Sequence, residues 1–132
     1  MLLFVCTGNT CRSPMAAALC RSRGIDAQSA GLSAASGSPA TPQAIRAAHR
    51  HGADLTDHLS RPVTRALLQT ADRVFVMTAA HAIALQTRFP EAAPRVTVLK
   101  PAIPDPYGGD DAVYEDCILH IAQALKNAGV IT

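Results

Sequence analysis

Short apolar runs alternate along this chain with longer stretches whose apolar residues recur at helical spacing. Leu2–Cys6 is a continuous apolar run that meets a turn holding Gly8 and Asn9, the pattern of a strand buried on both faces. Ser13–Arg23 reads as a helix, with Pro14 in its first turn and Gly24 just past its end. Asp26–Ala30 reads as a second strand, and Ser33–Pro42, rich in Ser, Gly and Pro, as a loop. Thr41 and Pro42 open a helix that runs to about His51, where Gly52 stops it. His58–Thr64 is irregular, and a short helix is expected near Arg65. Arg73–Met77 is the clearest interior strand, apolar and β-branched between polar ends. Thr78 can cap a helix over Ala79–Arg88. Arg95–Leu99 is the fourth strand, Pro101, Pro104 and Pro106 force a turning loop, and an amphipathic helix covers Asp111–Ala128.

Strands that alternate with helices pair in parallel through right-handed crossovers. The predicted fold is α/β: a single-domain, four-stranded parallel sheet with helices on both faces, spanning residues 1–132. No internal repeat or linker marks a second domain. Ligands of such sheets bind at the carboxyl ends of the strands, so the loop after the first strand is the place to look for chemistry.

Composition narrows the picture. With 132 residues, 48% of them apolar, one well-filled core is feasible, and 17% charged residues argue against disorder. The net charge of +2 suits an anionic ligand, but no block of Lys or Arg follows one face, so neither nucleic acid nor a membrane surface is expected as a partner. Met1–Val5 is too short for a signal peptide, and no stretch approaches a membrane span. Four cysteines without a secretory mark point to a cytoplasmic setting with reduced thiols. Each must then be explained by packing or by chemistry.

The chemistry concentrates in Cys6-Thr7-Gly8-Asn9-Thr10-Cys11-Arg12-Ser13-Pro14. A thiol ends the strand. Gly8 and Asn9 tolerate positive φ, so the five intervening residues can wrap their N–H groups into one anion-binding concavity. A helix begins on the far side and adds its positive end. Arg12 offers a planar fork of donors for two phosphoryl oxygens. A helix N-terminus and a neighbouring guanidinium favour thiolate over thiol. Cys6 is thus the expected nucleophile, and Thr7, Gly8, Asn9, Thr10, Cys11, Arg12 and Ser13 the expected phosphate-binding residues. The Gly-rich loop ending in Lys-Ser or Lys-Thr is absent, as is G-x-G-x-x-G, so no nucleotide cofactor is implied; no metal is called for either.

Transfer of a phosphoryl group to sulfur needs a general acid, because a phenolate (pKa about 10) and a neutral guanidine (conjugate acid above about 12) leave poorly. Ile103-Pro104-Asp105-Pro106-Tyr107-Gly108-Gly109 supplies one. Asp105 is held between two prolines and follows the fourth strand. Next to a bound phosphate and a thiolate, a carboxyl group is favoured in its protonated form. Tyr107 can wall the substrate slot or cover the core.

These residues resemble the low-molecular-weight protein tyrosine phosphatase family. The likeness covers nearly the whole chain and extends to Ser29-Ala30-Gly31, to Asp57-His58 through Arg61, and to Val76-Met77-Thr78. It implies a phosphocysteine intermediate on Cys6, with Asp105 as acid and then base and with Arg12 and the loop amides holding the phosphoryl oxygens. It implies a supporting network of Asn9, Ser13, Ser29 and His58, in which Ser13 donates to the Cys6 thiolate; His58 enters only through this likeness. It also implies a reversible disulfide between Cys6 and Cys11, while Cys20 and Cys117 are bystanders. The loop is closest to bacterial protein arginine phosphatases: Thr10 stands where many tyrosine phosphatases of the family carry a larger apolar residue. Thr10 and Tyr107 are the expected substrate walls. The expected substrate is a phosphorylated protein, phosphoarginine favoured over phosphotyrosine, with inorganic phosphate as product.

Two other functions fit parts of this pattern. A thiol-dependent arsenate reductase would use the same loop but needs further cysteines after the third strand, and Met77–Phe89 has none. A non-catalytic phosphate-binding module would need no acid, so the position of Asp105 relative to Cys6 discriminates it.

Overall fold

The computed structural model describes residues 1–132. In chain order the elements are β1 (Leu2–Cys6), α1 (Arg12–Arg21), β2 (Ala27–Gly31), α2 (Pro42–Arg50), α3 (Arg65–Thr70), β3 (Arg73–Val76), α4 (Ala79–Arg88), β4 (Val96–Val98) and α5 (Asp111–Asn127), with a 3₁₀ helix over Pro90–Arg95 before β4. The four strands form one parallel sheet in the order β2-β1-β3-β4. β1 lies in the interior of the sheet, with Cys6 opposite Gly31 of β2.

Strand residues alternate between two apolar layers, as a pleated strand requires. Phe4, Cys6, Phe75 and Met77 face one layer, completed by Met15 of α1, Ala44 of α2 and Ile118 of α5. Leu3, Val5, Val74 and Val76 face the other, completed by Leu68 of α3 and Leu85 of α4. Helices therefore cover both faces. Small residues let α1 lie close to the sheet: Ala16, Ala17 and Ala18 are all buried.

Helix starts follow their capping residues. Thr41, Thr64 and Thr78 accept the N3 backbone N–H of α2, α3 and α4, and Asp110 does so for α5. No side chain caps α1, whose N-cap is Cys11, so the loop runs directly into the helix and α1 begins at Arg12 instead of Ser13. It ends at Arg21, two residues before the expected Arg23, because the chain turns through Ser22 toward Gly24 at φ 76°.

Three expected strands shift at their ends: β2 is Ala27–Gly31, not Asp26–Ala30, and β3 stops at Val76, before Met77. The fourth strand is Val96–Val98, not Arg95–Leu99. Arg95 closes the 3₁₀ helix, and its guanidinium donates to the carbonyls of Leu68 (2.6 Å) and Ala71 (2.8 Å) at the end of α3. That helix itself was not anticipated; it opens on Pro90 and holds Pro94. His58–Thr64 is irregular, as expected, yet it is tied to the end of β2: Gly31 N–H donates to the Arg61 carbonyl and Val63 N–H to the Gly31 carbonyl. This pairing carries His58 and Arg61 to the back of the loop after β1.

Candidate active site

The loop from Cys6 to Arg12 lies at the carboxyl end of β1, and its shape is set by what packs behind it. Asn9 is fully buried and is the one non-glycine residue at positive φ, 59°. That conformation costs a non-glycine residue about 1–2 kcal/mol, and hydrogen bonds offset it. Asn9 Nδ2 donates to Ser13 Oγ and to Ser29 Oγ, each at 2.9 Å. Asn9 Oδ1 accepts the Arg61 backbone N–H at 3.0 Å. The Asn9 carbonyl accepts from His58 Nε2 at 2.7 Å, which fixes the proton on that nitrogen. Burial holds His58 below its ordinary pKa, and Arg21 and Arg61 push the same way against the bond to Asn9. Gly31 completes the backing: a Cβ there would stand 2.5 Å from the Thr7 carbonyl oxygen and 2.8 Å from Ala34 Cβ.

Cys6 is buried at the floor of this loop, with its Sγ 2.9 Å from Ser13 Oγ. Ser13 already receives the Asn9 amide, so its own proton is directed to the sulfur; the Ala30 carbonyl is more distant at 3.4 Å. Cys11 points under the loop. Its Sγ lies 3.2 Å from the Tyr114 phenol, 3.7 Å from Thr10 Oγ1 and 3.8 Å from Thr41 Oγ1. Burial pushes the Tyr114 phenol up to about 12, with Cys11 adding to the shift. All four thiols are free and buried. Burial raises Cys20 to about 11 and Cys117 to about 12, which suits inert packing residues.

Cys6, Thr7, Gly8, Asn9, Thr10, Cys11, Arg12, Asp105 and Tyr107 line one cavity of about 220 Å³. Residues a hundred positions apart thus meet across the sheet edge. Arg12 is buried and anchored by donating from Nη1 to the Ile103 carbonyl at 3.0 Å. Its Nη2 lies 3.8 Å from Asp105 Oδ2. One guanidinium edge is therefore committed to the protein, a restraint on the two-oxygen fork expected from sequence. The Asp105 carboxylate is 58% exposed, and its Oδ1 accepts the Tyr107 N–H at 3.0 Å. Tyr107 itself is 73% exposed at the cavity mouth, so it does not cover the core.

A larger depression of about 400 Å³ lies along α2, between Ile45 and Thr56. Its arginines are engaged with α5, Arg46 with Asp111 and Arg50 with Glu115, and no cysteine lines it.

Three residues that touch the loop were not expected there from sequence: His81, Tyr114 and Thr41, the last read only as the opening of a helix. His81 Nε2 lies 2.9 Å from Thr7 Oγ1. His81 lies on α4, Tyr114 on α5 and Thr41 at the cap of α2, and only the tertiary fold brings them to the loop.

The fold and this cavity define a class: a parallel α/β domain in which a strand, a thiol-headed loop and a helix meet at one cavity shared with a carboxylate. The chain belongs to the family described as Low molecular weight phosphotyrosine protein phosphatase, which matches residues 1–128. It is 37% identical over 130 residues to the "Probable low molecular weight protein-tyrosine-phosphatase EpsP" of Ralstonia solanacearum, covering 94% of this chain and 90% of that one. It is 40% identical over 123 residues to the protein-arginine-phosphatase of Geobacillus stearothermophilus, covering 86% and 82%. The solved structure of YwlE arginine phosphatase from the same organism superposes with a TM-score of 0.90 at 36% identity, covering 96% of this chain and 88% of that one. The protein is accordingly a hydrolase of the phosphatase class, with phosphoproteins as its class of substrate and phosphate as product. No helix is long and apolar enough to cross a membrane.

Proposed function

We propose that this phosphatase uses Cys6 as its nucleophile and that its preferred substrate is phosphoarginine in proteins. In the first step Cys6 Sγ forms a bond to phosphorus as the P–N bond breaks, and Asp105 gives its proton to the leaving nitrogen. In the second, a water oxygen bonds to phosphorus as the S–P bond breaks. Asp105 takes the water proton, and the Cys6 thiolate is regenerated. Loop amides and the free edge of Arg12 hold the phosphoryl oxygens through both steps. Ser13 donates to the sulfur and eases its departure. Asn9, Ser29 and His58 keep the loop in shape, and no cofactor takes part. The approach of Asp105 to Arg12 across the cavity favours catalysis over a module that only binds phosphate.

The observation that carries the substrate choice is the make-up of the cavity wall. The loop contributes the hydroxyl of Thr10 and no aliphatic side chain, and Asp105 lines the same cavity. A guanidinium brings N–H donors that match hydroxyl and carboxylate acceptors, whereas a phenyl ring would leave those acceptors unpaired. Phosphotyrosine is the second reading, supported by the exposed Tyr107 ring at the mouth and by the name of the Ralstonia relative. The test is kcat/KM for phosphate release from a phosphoarginine protein and from a phosphotyrosine peptide, with Cys6→Ser as control. A ratio favouring phosphoarginine supports the reading, and the opposite ratio rejects it. Thr10→Ile should move the ratio toward phosphotyrosine.

Cys11 lines the same cavity as Cys6. The reading includes a reversible Cys6–Cys11 disulfide that shields the nucleophile from deeper oxidation, and a cytoplasmic setting in which both thiols are normally reduced.

A further inference from the structure

His81 is 8% exposed, and its Nδ1 is the one buried side-chain nitrogen or oxygen without a hydrogen-bond partner. A polar atom stranded this way costs stability and calls for an explanation. The backbone offers none, because the His81 N–H is taken by Thr78 Oγ1 at 3.3 Å as part of the helix cap. The other ring nitrogen supplies one: Nε2 reaches Thr7 Oγ1, the hydroxyl next in sequence to Cys6.

The tautomer follows from the surroundings. An orphaned buried N–H is rarer than an under-satisfied acceptor. The Arg12 guanidinium acts on this imidazole with positive charge, opposed more weakly by Asp105, and burial favours the neutral ring. Nδ1 is therefore the bare lone pair, and Nε2–H donates to Thr7 Oγ1. A hydroxyl that accepts from a fixed ring has its own proton left for another acceptor. Thr7 lines the cavity, and the acceptor proper to that cavity is a phosphoryl oxygen.

We propose that His81 is a positioning residue that holds the Thr7 hydroxyl as a side-chain hydrogen-bond donor to the phosphoryl group. The inference rests on the phosphatase reading of the cavity. It adds α4, from the β3 side of the sheet, to an anion site otherwise built from the β1 loop and α1. It also accounts for the stranded Nδ1, since the ring is oriented for Thr7 at the expense of its second nitrogen.

The test compares Thr7→Val, His81→Asn, His81→Gln and the Thr7→Val/His81→Asn double variant. The amide nitrogen of Gln takes the place of Nε2, whereas Asn reproduces only the Nδ1 position. Two readings are taken: affinity for inorganic phosphate, which needs no turnover, and kcat/KM on a phosphorylated protein. Thr7→Val and His81→Asn should each weaken phosphate by about tenfold, the scale of one hydrogen bond to a charged group. The double variant should be no weaker than either single one, and His81→Gln should recover most of the loss. Additive losses, or equal losses in the Asn and Gln variants, would overturn the proposal. So would phosphate affinity that stays constant while only the melting temperature drops, since that marks a packing role. Failure of the phosphatase reading would show separately, as absent turnover with phosphate binding intact.

Discussion

Ser13 Oγ stands 2.9 Å from Cys6 Sγ while receiving the Asn9 amide from its other side. The serine proton has one good acceptor left, the sulfur. On the proposed route, negative charge returns to that sulfur as the S–P bond of a phosphocysteine breaks, and Ser13 stands within hydrogen-bond reach of it. Ser13→Ala should therefore slow breakdown of the intermediate more than its formation. The expected loss in kcat is about tenfold to a hundredfold, toward the lower end of what removing a preorganised donor costs. A pre-steady-state burst should become visible in this variant. Loss of kcat/KM and kcat in equal measure, with no burst, would place the Ser13 contribution in the first step instead.

Asn9 combines a left-handed backbone with three side-chain hydrogen bonds. Asn9→Ala loses both the bonds and the conformational tolerance, and should destabilise the fold by about 2–4 kcal/mol in urea unfolding. Asn9→Gly loses the bonds but keeps the backbone free, and should be milder by about 1 kcal/mol. Equal destabilisation would mean that the positive φ contributes nothing to the cost.

Asp105 can be tested through the leaving group. A substrate whose leaving group departs readily needs little protonation, and a poor one needs a great deal. Asp105→Ala should slow a good leaving group by a few fold and a poor one by about a hundredfold or more. A series of aryl phosphates of graded acidity reads this directly. Uniform slowing across the series would remove Asp105 as the acid and leave it as a binding residue beside Arg12.

Stability should rise with pH between about 5 and 7. Burial lowers both His58 and His81 below their ordinary value of 6.5, so the native chain holds them neutral while the unfolded chain takes up protons. Their contribution is complete above 6.5 and is lost as pH falls below it. The paired carboxylates, such as Asp111 with Arg46 and Glu115 with Arg50, are also lowered, but they act further down, through the carboxylate range. Urea midpoints at about pH 5.5 and 7.5 check the sign, and His58→Gln should flatten the slope. An unchanged slope in that variant would assign the effect elsewhere.

The fold was legible because its strands are short and apolar and its helices carry clear stops. Leu2–Cys6 and Ala79–Arg88 fall where the apolar pattern puts them. The 3₁₀ helix at Pro90–Arg95 was not legible, because proline reads as a breaker while a helix of i→i+3 bonds tolerates it near its start. The Cys6–Ser13 segment was legible as a contiguous loop between a strand and a helix, and its residues do line one cavity with Asp105. His81, Thr41 and Tyr114 were not. Each acts on the loop across a sequence distance of thirty residues or more, and nothing local distinguishes such a residue from one that only packs. Arg61 was noticed only within a segment of family likeness, although its backbone N–H is what seats Asn9.

Passage of the phosphoryl group through Cys6 is tested by capture of the phosphocysteine intermediate. Wild-type and Ser13→Ala protein are mixed with phosphorylated substrate, quenched in acid within milliseconds, digested and read by mass spectrometry. A phosphoryl adduct is expected on the peptide holding Cys6, more abundant in Ser13→Ala and absent in Cys6→Ala. Phosphate release in a burst with no adduct on Cys6, or an adduct on another residue, would contradict it.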